Sequence, residues 1–252
     1  MSKQSFSIWT RRFLASTSTR SSFAIFKDVS SMLADIGRRS RGGTMARLGT
    51  ILVDLNANRR SGTDNRTNLE FYRTEVERRC GICLSDPLIY EAFTYYDREV
   101  LPYKNDDVIN AHAMPGAHAA LRAVQDAGLR CALFTNPQLS RGGHRVPHGL
   151  GRPADAPFEL VTHMGNTTRC KPDATYYLEQ LQVMGLEPHE VLMVGNDPGR
   201  DFPSPACGIQ TAYVGRGKPG RATRHGTMED FARNFNAVVE AFYEHQVADE
   251  LS

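Results

Sequence analysis

The sequence contains no run of about 18 apolar residues, the length a membrane-crossing helix requires. Cysteine is scarce, with five in 252 residues, at Cys80, Cys83, Cys131, Cys170 and Cys207. An odd and scattered set does not make the disulfide framework of a small secreted protein. Cys80 and Cys83 form a lone CxxC with no second pair, short of the four ligands of a structural zinc site, so two reduced thiols on one helix are expected. There is also no basic stripe of the kind that follows a phosphate backbone, and no nucleic-acid partner is expected.

The net charge of +2 conceals an asymmetry. Residues 1–44 hold eight Lys/Arg and two Asp, which leaves 22 of the 30 basic and 26 of the 28 acidic residues in the remainder, about −4. The same 44 residues are rich in Ser and Thr. That composition predicts a flexible leader or a mitochondrial transit peptide, with Met45 opening the folded body. The expected compartment is cytoplasmic, or mitochondrial if the leader directs import. Phe23 to Ile36 has the spacing of a short amphipathic helix.

What is present is an alternation of strands and helices. Leu48 to Leu55, with the apolar run Thr50-Ile51-Leu52-Val53, reads as a buried parallel strand. Residues 69–100 read as helical and carry Phe71, Tyr72, Tyr90, Phe93, Tyr95 and Tyr96. A helix follows from Ala117 to Ala127, and a strand from Arg130 to Phe134. Residues 137–157 form a long Gly/Pro/His-rich loop. A helix spans Ala174 to Met184, ended by Gly185. Strands are expected at Val191 to Val194 and Ile209 to Val214, and a last helix at Phe231 to Glu244. This order predicts an α/β fold, a Rossmann-like parallel sheet with helices on both faces.

In such sheets ligands bind beyond the carboxyl ends of the strands. That rule selects Asp54, then Thr135 and Asn136, then Asn196 and Asp197, with Asp201 shortly after. A carboxylate at the end of an apolar strand is costly unless paired or metal-bound. Several gathered in one crevice repel, and a hard divalent cation such as Mg²⁺ would relieve this through oxygen ligands. Lys171 adds a fixed positive charge. Thr135 offers a hydroxyl, and the amides after it offer donors. Together these groups suit an anionic, phosphorylated small molecule, with an aspartate as nucleophile.

The order of these motifs resembles the haloacid dehalogenase (HAD) superfamily over about residues 46–245. That family shows an apolar strand ending in DxDGT, a strand ending in Ser or Thr, a Lys at a helix start, and a strand ending in an acidic loop. Here they read Ile51-Leu52-Val53-Asp54-Leu55-Asn56, Ala132-Leu133-Phe134-Thr135-Asn136, Lys171-Pro172-Asp173, and Val191 to Asp201. The resemblance implies a HAD-like core at 45–58 and 112–252 and a small helical cap at 59–111. It implies a Mg²⁺-dependent phosphatase with Asp54 as nucleophile and metal ligand. Thr135 and Asn136 would bind substrate, Lys171 would hold the phosphoryl group, and Asp197 (or Asn196) and Asp201 would bind the metal.

The first motif departs from the pattern, with Asn56, Ala57 and Asn58 in place of its second Asp, Gly and Thr. An amide at 56 can still offer its backbone carbonyl to the metal but cannot act as acid or base. Loss of such a group costs about 10²–10⁴ in rate. The expectation is therefore a phosphatase of low activity; His144, His148 and His163 are candidates for a substitute acid, although surface loop histidines are the expected reading. The alternatives are a catalytically impaired binding or scaffold protein and a 2-haloacid dehalogenase-like hydrolase. Arg59, Arg60, Arg66 and Arg73 could reach an anionic substrate and equally fit a solvated face. No feature sets an oligomeric state.

Overall fold

A computed structural model describes residues 7–10, 19–100, 103–104, 114–136 and 158–250. Its sheet has six strands, all parallel: β1 (Ser7–Thr10), β2 (Arg130–Leu133), β3 (Phe158–Val161), β4 (Val191–Gly195), β5 (Gln210–Val214) and β6 (Arg224–Gly226), in the order β3-β2-β1-β4-β5-β6. The helices are α1 (Thr19–Ile36), α2 (Arg41–Asn56), α3 (Asn68–Cys80), α4 (Pro87–Tyr95), α5 (Ala117–Asp126), α6 (Ala174–Met184), α7 (Met228–Arg233) and α8 (Phe235–Glu250). The expected α/β class, with helices on both sheet faces, is what the chain adopts.

β4 shows why the sheet is buried on both sides. Its side chains alternate with the two-residue period of a strand. Leu192 and Val194 join Ala117, Leu121, Val124, Phe231 and Phe242 in one layer, under α5, α7 and α8. Val191 and Met193 join Tyr176, Tyr177, Leu181 and Phe202 in the other, under α6. All five β4 residues are buried, which is why this run reads as continuously apolar. α6 is bounded by local chemistry. Asp173 caps it, accepting from the Thr175 amide at 2.9 Å, and Gly185 closes it in the left-handed region at φ 64°.

The first half of the chain differs from its sequence reading. Leu48 to Leu55 is not a strand but the body of α2. The buried residues there are Leu48, Ile51 and Leu55, spaced three and four apart, while Val53 is 55% exposed. That is a helical stripe. A four-residue apolar run fits a strand equally well, and only the partners across the stripe decide. Those partners are Leu33 from α1, Val76 and Cys80 from α3, and Ile89 from α4, which close a separate apolar cluster.

Within 1–44 the described residues are consequently part of the fold, where a leader was expected. They hold β1, one of the two central strands of the sheet, all of α1, and the start of α2. The amphipathic stretch from Phe23 falls within α1, where Phe26, Val29 and Ile36 pack on the cluster. The helical unit therefore begins at Thr19 rather than at residue 59, and residues 45–56 belong to it and not to the sheet. The 137–157 loop lies outside the described residues.

Candidate functional site

The sheet brings the carboxyl ends of β2 and β4 to either side of β1, since both pair with it in parallel. Lys171 reaches this end from the segment before α6, across a cis Lys171–Pro172 peptide. Its ammonium donates to the Phe134 carbonyl at 2.7 Å and lies 3.1 Å from Asp201 Oδ1. Both side chains of this ion pair are 0% exposed. Charges so deeply buried persist only when paired and hydrogen-bonded. Asp201 meets that condition. Its other oxygen accepts from the amides of Asn196 and Asp197 at 3.1 and 3.0 Å.

The surroundings hold these groups in place. A Cβ on Gly195 would collide with the Asp201 side chain, so only glycine lets the strand end approach the acid. Tyr177 donates to the carbonyls of Arg200 and Asp201 at 3.0 and 2.9 Å. Tyr176 donates to the Thr135 carbonyl at 2.7 Å and shares a 2.9 Å bond with Thr162 Oγ1. Burial raises both phenols well above their ordinary range, so they act as neutral hydrogen-bonding props. Thr135 N donates to Thr162 Oγ1 at 2.8 Å, and the Asn136 carboxamide oxygen accepts from the Lys171 amide at 3.0 Å.

Five of the residues selected from the sequence thus meet at one end of the sheet: Thr135, Asn136, Lys171, Asp197 and Asp201. Asp197 is the least committed. Its side chain is 43% exposed and accepts from the Gly199 amide at 3.1 Å. The other two are elsewhere. Asp54 lies near the end of α2, bridged to Arg79 at 2.8 Å and Arg59 at 3.4 Å. The Asn56 side chain donates back to the Leu52 carbonyl of its own helix at 2.7 Å. Neither sits at a strand end, so the premise on which they were chosen is corrected.

What α2 does send toward the site is the loop after it. Asn58, in the left-handed region at φ 51°, grips the Cys170 backbone with both ends of its amide, at 2.9 and 2.7 Å, one residue before Lys171. Arg169 donates to the carbonyls of Ser61, Gly62 and Asp64. Sequence reasoning had no role for either residue beyond Asn58 as a departure from the family's first motif. Of the arginines considered for substrate, Arg60 bonds Asn68 and the Thr168 carbonyl, and Arg66 pairs with Asp64 at 2.7 Å. Both lie over the Phe71 ring. His163 is engaged in a turn, its Nδ1 accepting from the Gly165 amide at 3.0 Å. His144 and His148 lie outside the described residues. Cys170 offers no substitute nucleophile, because burial pushes its thiol up to about 12.

Mg²⁺ takes close to octahedral oxygen coordination, usually through one or two carboxylates plus waters and phosphate. Here the strand ends provide Asp197 and an Asp201 already bonded to Lys171 and two amides. Among the described residues no three His, Cys, Asp or Glu side chains gather as a metal site. In the sequence β1 is followed by Arg11-Arg12, and residues 1–27 contain neither Asp nor Glu. Among the described residues, those at this end of the sheet do not fit the ion.

A family profile described as haloacid dehalogenase-like hydrolase matches residues 50–207. The matched range begins inside α2 and takes in β2, Lys171, β4 and the acidic loop, with β1 and α1 outside it. No curated protein matches. Among solved structures, a HAD phosphatase from Thermococcus onnurineus superposes with a TM-score of 0.54 at 18% identity, covering 92% of this chain and 97% of that one. A hydrolase from Pseudomonas syringae gives 0.49 at 13% identity, covering 94% and 99%. The L-2-haloacid dehalogenase RSc1362 gives 0.46 at 13%, covering 91% and 97%. At these identities the likeness is one of fold.

Proposed function

The chain belongs to the haloacid dehalogenase-like hydrolase family, and from that premise we propose that its strand-end site holds the phosphoryl group of a small phosphorylated molecule without turning it over. The observation that carries this reading is the pairing of a fully buried Lys171 at the ends of β2 and β4 with a first strand whose exit has no carboxylate. A fixed ammonium at the end of the sheet where Thr135 and the loop of Asp197 also lie supports an anion site there. Aspartyl attack, on phosphorus or on carbon, needs an accessible carboxylate facing the bound group, and Asp201 is buried against Lys171 and two amides. Asp54 is committed to Arg79 and Arg59 on α2. The same shortage leaves Mg²⁺ without its set of oxygens, and it bears equally on a phosphatase and on a dehalogenase.

Inorganic phosphate and an aryl phosphate, each with Mg²⁺, test the reading. Phosphate is expected to raise the thermal midpoint of the purified chain, and Thr135→Val to weaken that shift. Aryl phosphate hydrolysis is expected to stay at the level of the buffer. Mg²⁺-dependent hydrolysis that disappears in Asp54→Asn would overturn it.

A further inference from the structure

β1 occupies the place in the sheet that demands most of a sequence. It is paired on both sides, where parallel strands read as near-continuous apolar runs. Its neighbour β4 obeys, with Val-Leu-Met-Val-Gly all buried. β1 does not: the chain reads Lys3-Gln4-Ser5-Phe6-Ser7-Ile8-Trp9-Thr10-Arg11-Arg12. All 28 acidic residues fall after residue 27. From Phe26 onward the side chains suit their places, as Phe26, Val29, Leu33 and Ile36 pack on the helical cluster. A central strand whose written residues lack the apolar run, followed by residues that fit, is the mark of a local change of reading frame.

We propose that the frame across β1 is displaced by one nucleotide, and that the frame starting one nucleotide earlier encodes an apolar strand ending in two carboxylates. The genetic code makes this specific. With Ser5 encoded as TCN, the codon spanning Gln4 and Ser5 becomes ATC or GTC, Ile or Val. The next, NTT, is Phe, Leu, Ile or Val. The codon spanning Phe6 and Ser7 becomes TTC or CTC, Phe or Leu. With Ser7 encoded as TCG, the codon spanning Ser7 and Ile8 is GAT, Asp. The next is TTG, CTG or ATG, Leu or Met. The codon spanning Trp9 and Thr10 is GAC, Asp, whatever the third base of threonine, because Trp has a single codon.

The result is three apolar residues, Asp, an apolar residue and Asp. It restores the run that a central strand needs, and it brings to the Lys171 end of the sheet the acids whose shortage was inferred above. Return to the written frame is bounded on the far side by Phe26. The functional consequence rests on the proposed phosphoryl site: chain made in the written frame holds the group without turnover, and chain made in the displaced frame regains the carboxylates that aspartyl attack needs. The frame itself is decided without either.

The test is to read the gene across codons 4–10 and to sequence the N-terminal peptides of the native protein by mass spectrometry. Ser5 as TCN, Ser7 as TCG, and a native peptide with Asp-Leu-Asp or Asp-Met-Asp are expected. Trp9 is the single tryptophan of the chain, so native protein made in the proposed frame has no tryptophan fluorescence. Any other codon at Ser7, or a native peptide containing Ile8-Trp9-Thr10, would overturn the proposal. These readouts do not depend on ligand binding, so they stand apart from failure of the phosphate experiment.

Discussion

Two aspartates of this chain each follow an apolar run, and the molecule treats them differently. Val191 to Val194 is a strand, and the loop it leads into carries Asp201, fully buried against Lys171. Ile51 to Val53 is part of a helix, and Asp54 sits on its flank, 20% exposed and bridged by two arginines. One acid is fixed by the sheet's interior and by two amides of its own loop. The other belongs to a charged network over the helical unit, where Arg79 is shared between Asp54 and Glu75. An apolar run ahead of an aspartate therefore says nothing about the site until the period of burial around it is known.

The contrast is broken most severely at Lys171. Lys171→Met leaves Asp201 charged and unpaired in the interior, and a loss of about 3–5 kcal/mol is expected in denaturant unfolding. The double variant Lys171→Met/Asp201→Leu should recover much of that loss if the pairing, and not the lysine's packing, is responsible. Next is the helical stripe. Ile51 is fully buried and Val53 is 55% exposed. Ile51→Ala should cost about 2–5 kcal/mol, and Val53→Ala should stay within about 0.5 kcal/mol. Were residues 50–53 a two-sided buried strand, both would be costly.

Asp54→Asn is expected to cost no more than about 1 kcal/mol, since its bridges are partly solvated. A loss as large as that of Lys171→Met would mean that the two acids are not as different as described. The smallest effect concerns pH. The Arg66 guanidinium holds the Asp64 carboxyl down at about 2, against 3.8 in the unfolded chain. A depressed carboxyl stabilises the fold above its unfolded value, and that contribution fades as pH falls toward the folded value. Asp64→Asn should lower the thermal midpoint slightly near neutral pH, with the difference shrinking as pH falls and vanishing only below about pH 2.

Legibility followed burial. β2, β4, β5, α5 and α6 could be read because their apolar periods are backed by local stops, such as Asp173 before α6 and Gly185 after it. Lys171, Thr135 and Asp201 could be placed because the carboxyl end of a parallel sheet is a site that strand order alone locates. β1 could not be read, since Ser7-Ile8-Trp9-Thr10 carries no strand pattern of its own and is defined by pairing with β2 and β4. β3 and β6 are edge strands of four and three residues, too short to stand out. Asn58 escaped notice because its partner, Cys170, is 112 residues away.

The sequence by itself determined the α/β class, the second half of the sheet and the lysine-centred end of it, because those features are written in short-range periods and stops. Tertiary structure alone decided that Ile51 to Val53 turns with a helix and that Asp54 pairs with arginines. It also decided that a central strand lies in residues 7–10. The physical reason is common to all three. A short run of three or four residues has no preferred period, and its conformation is set by whichever distant surface buries it.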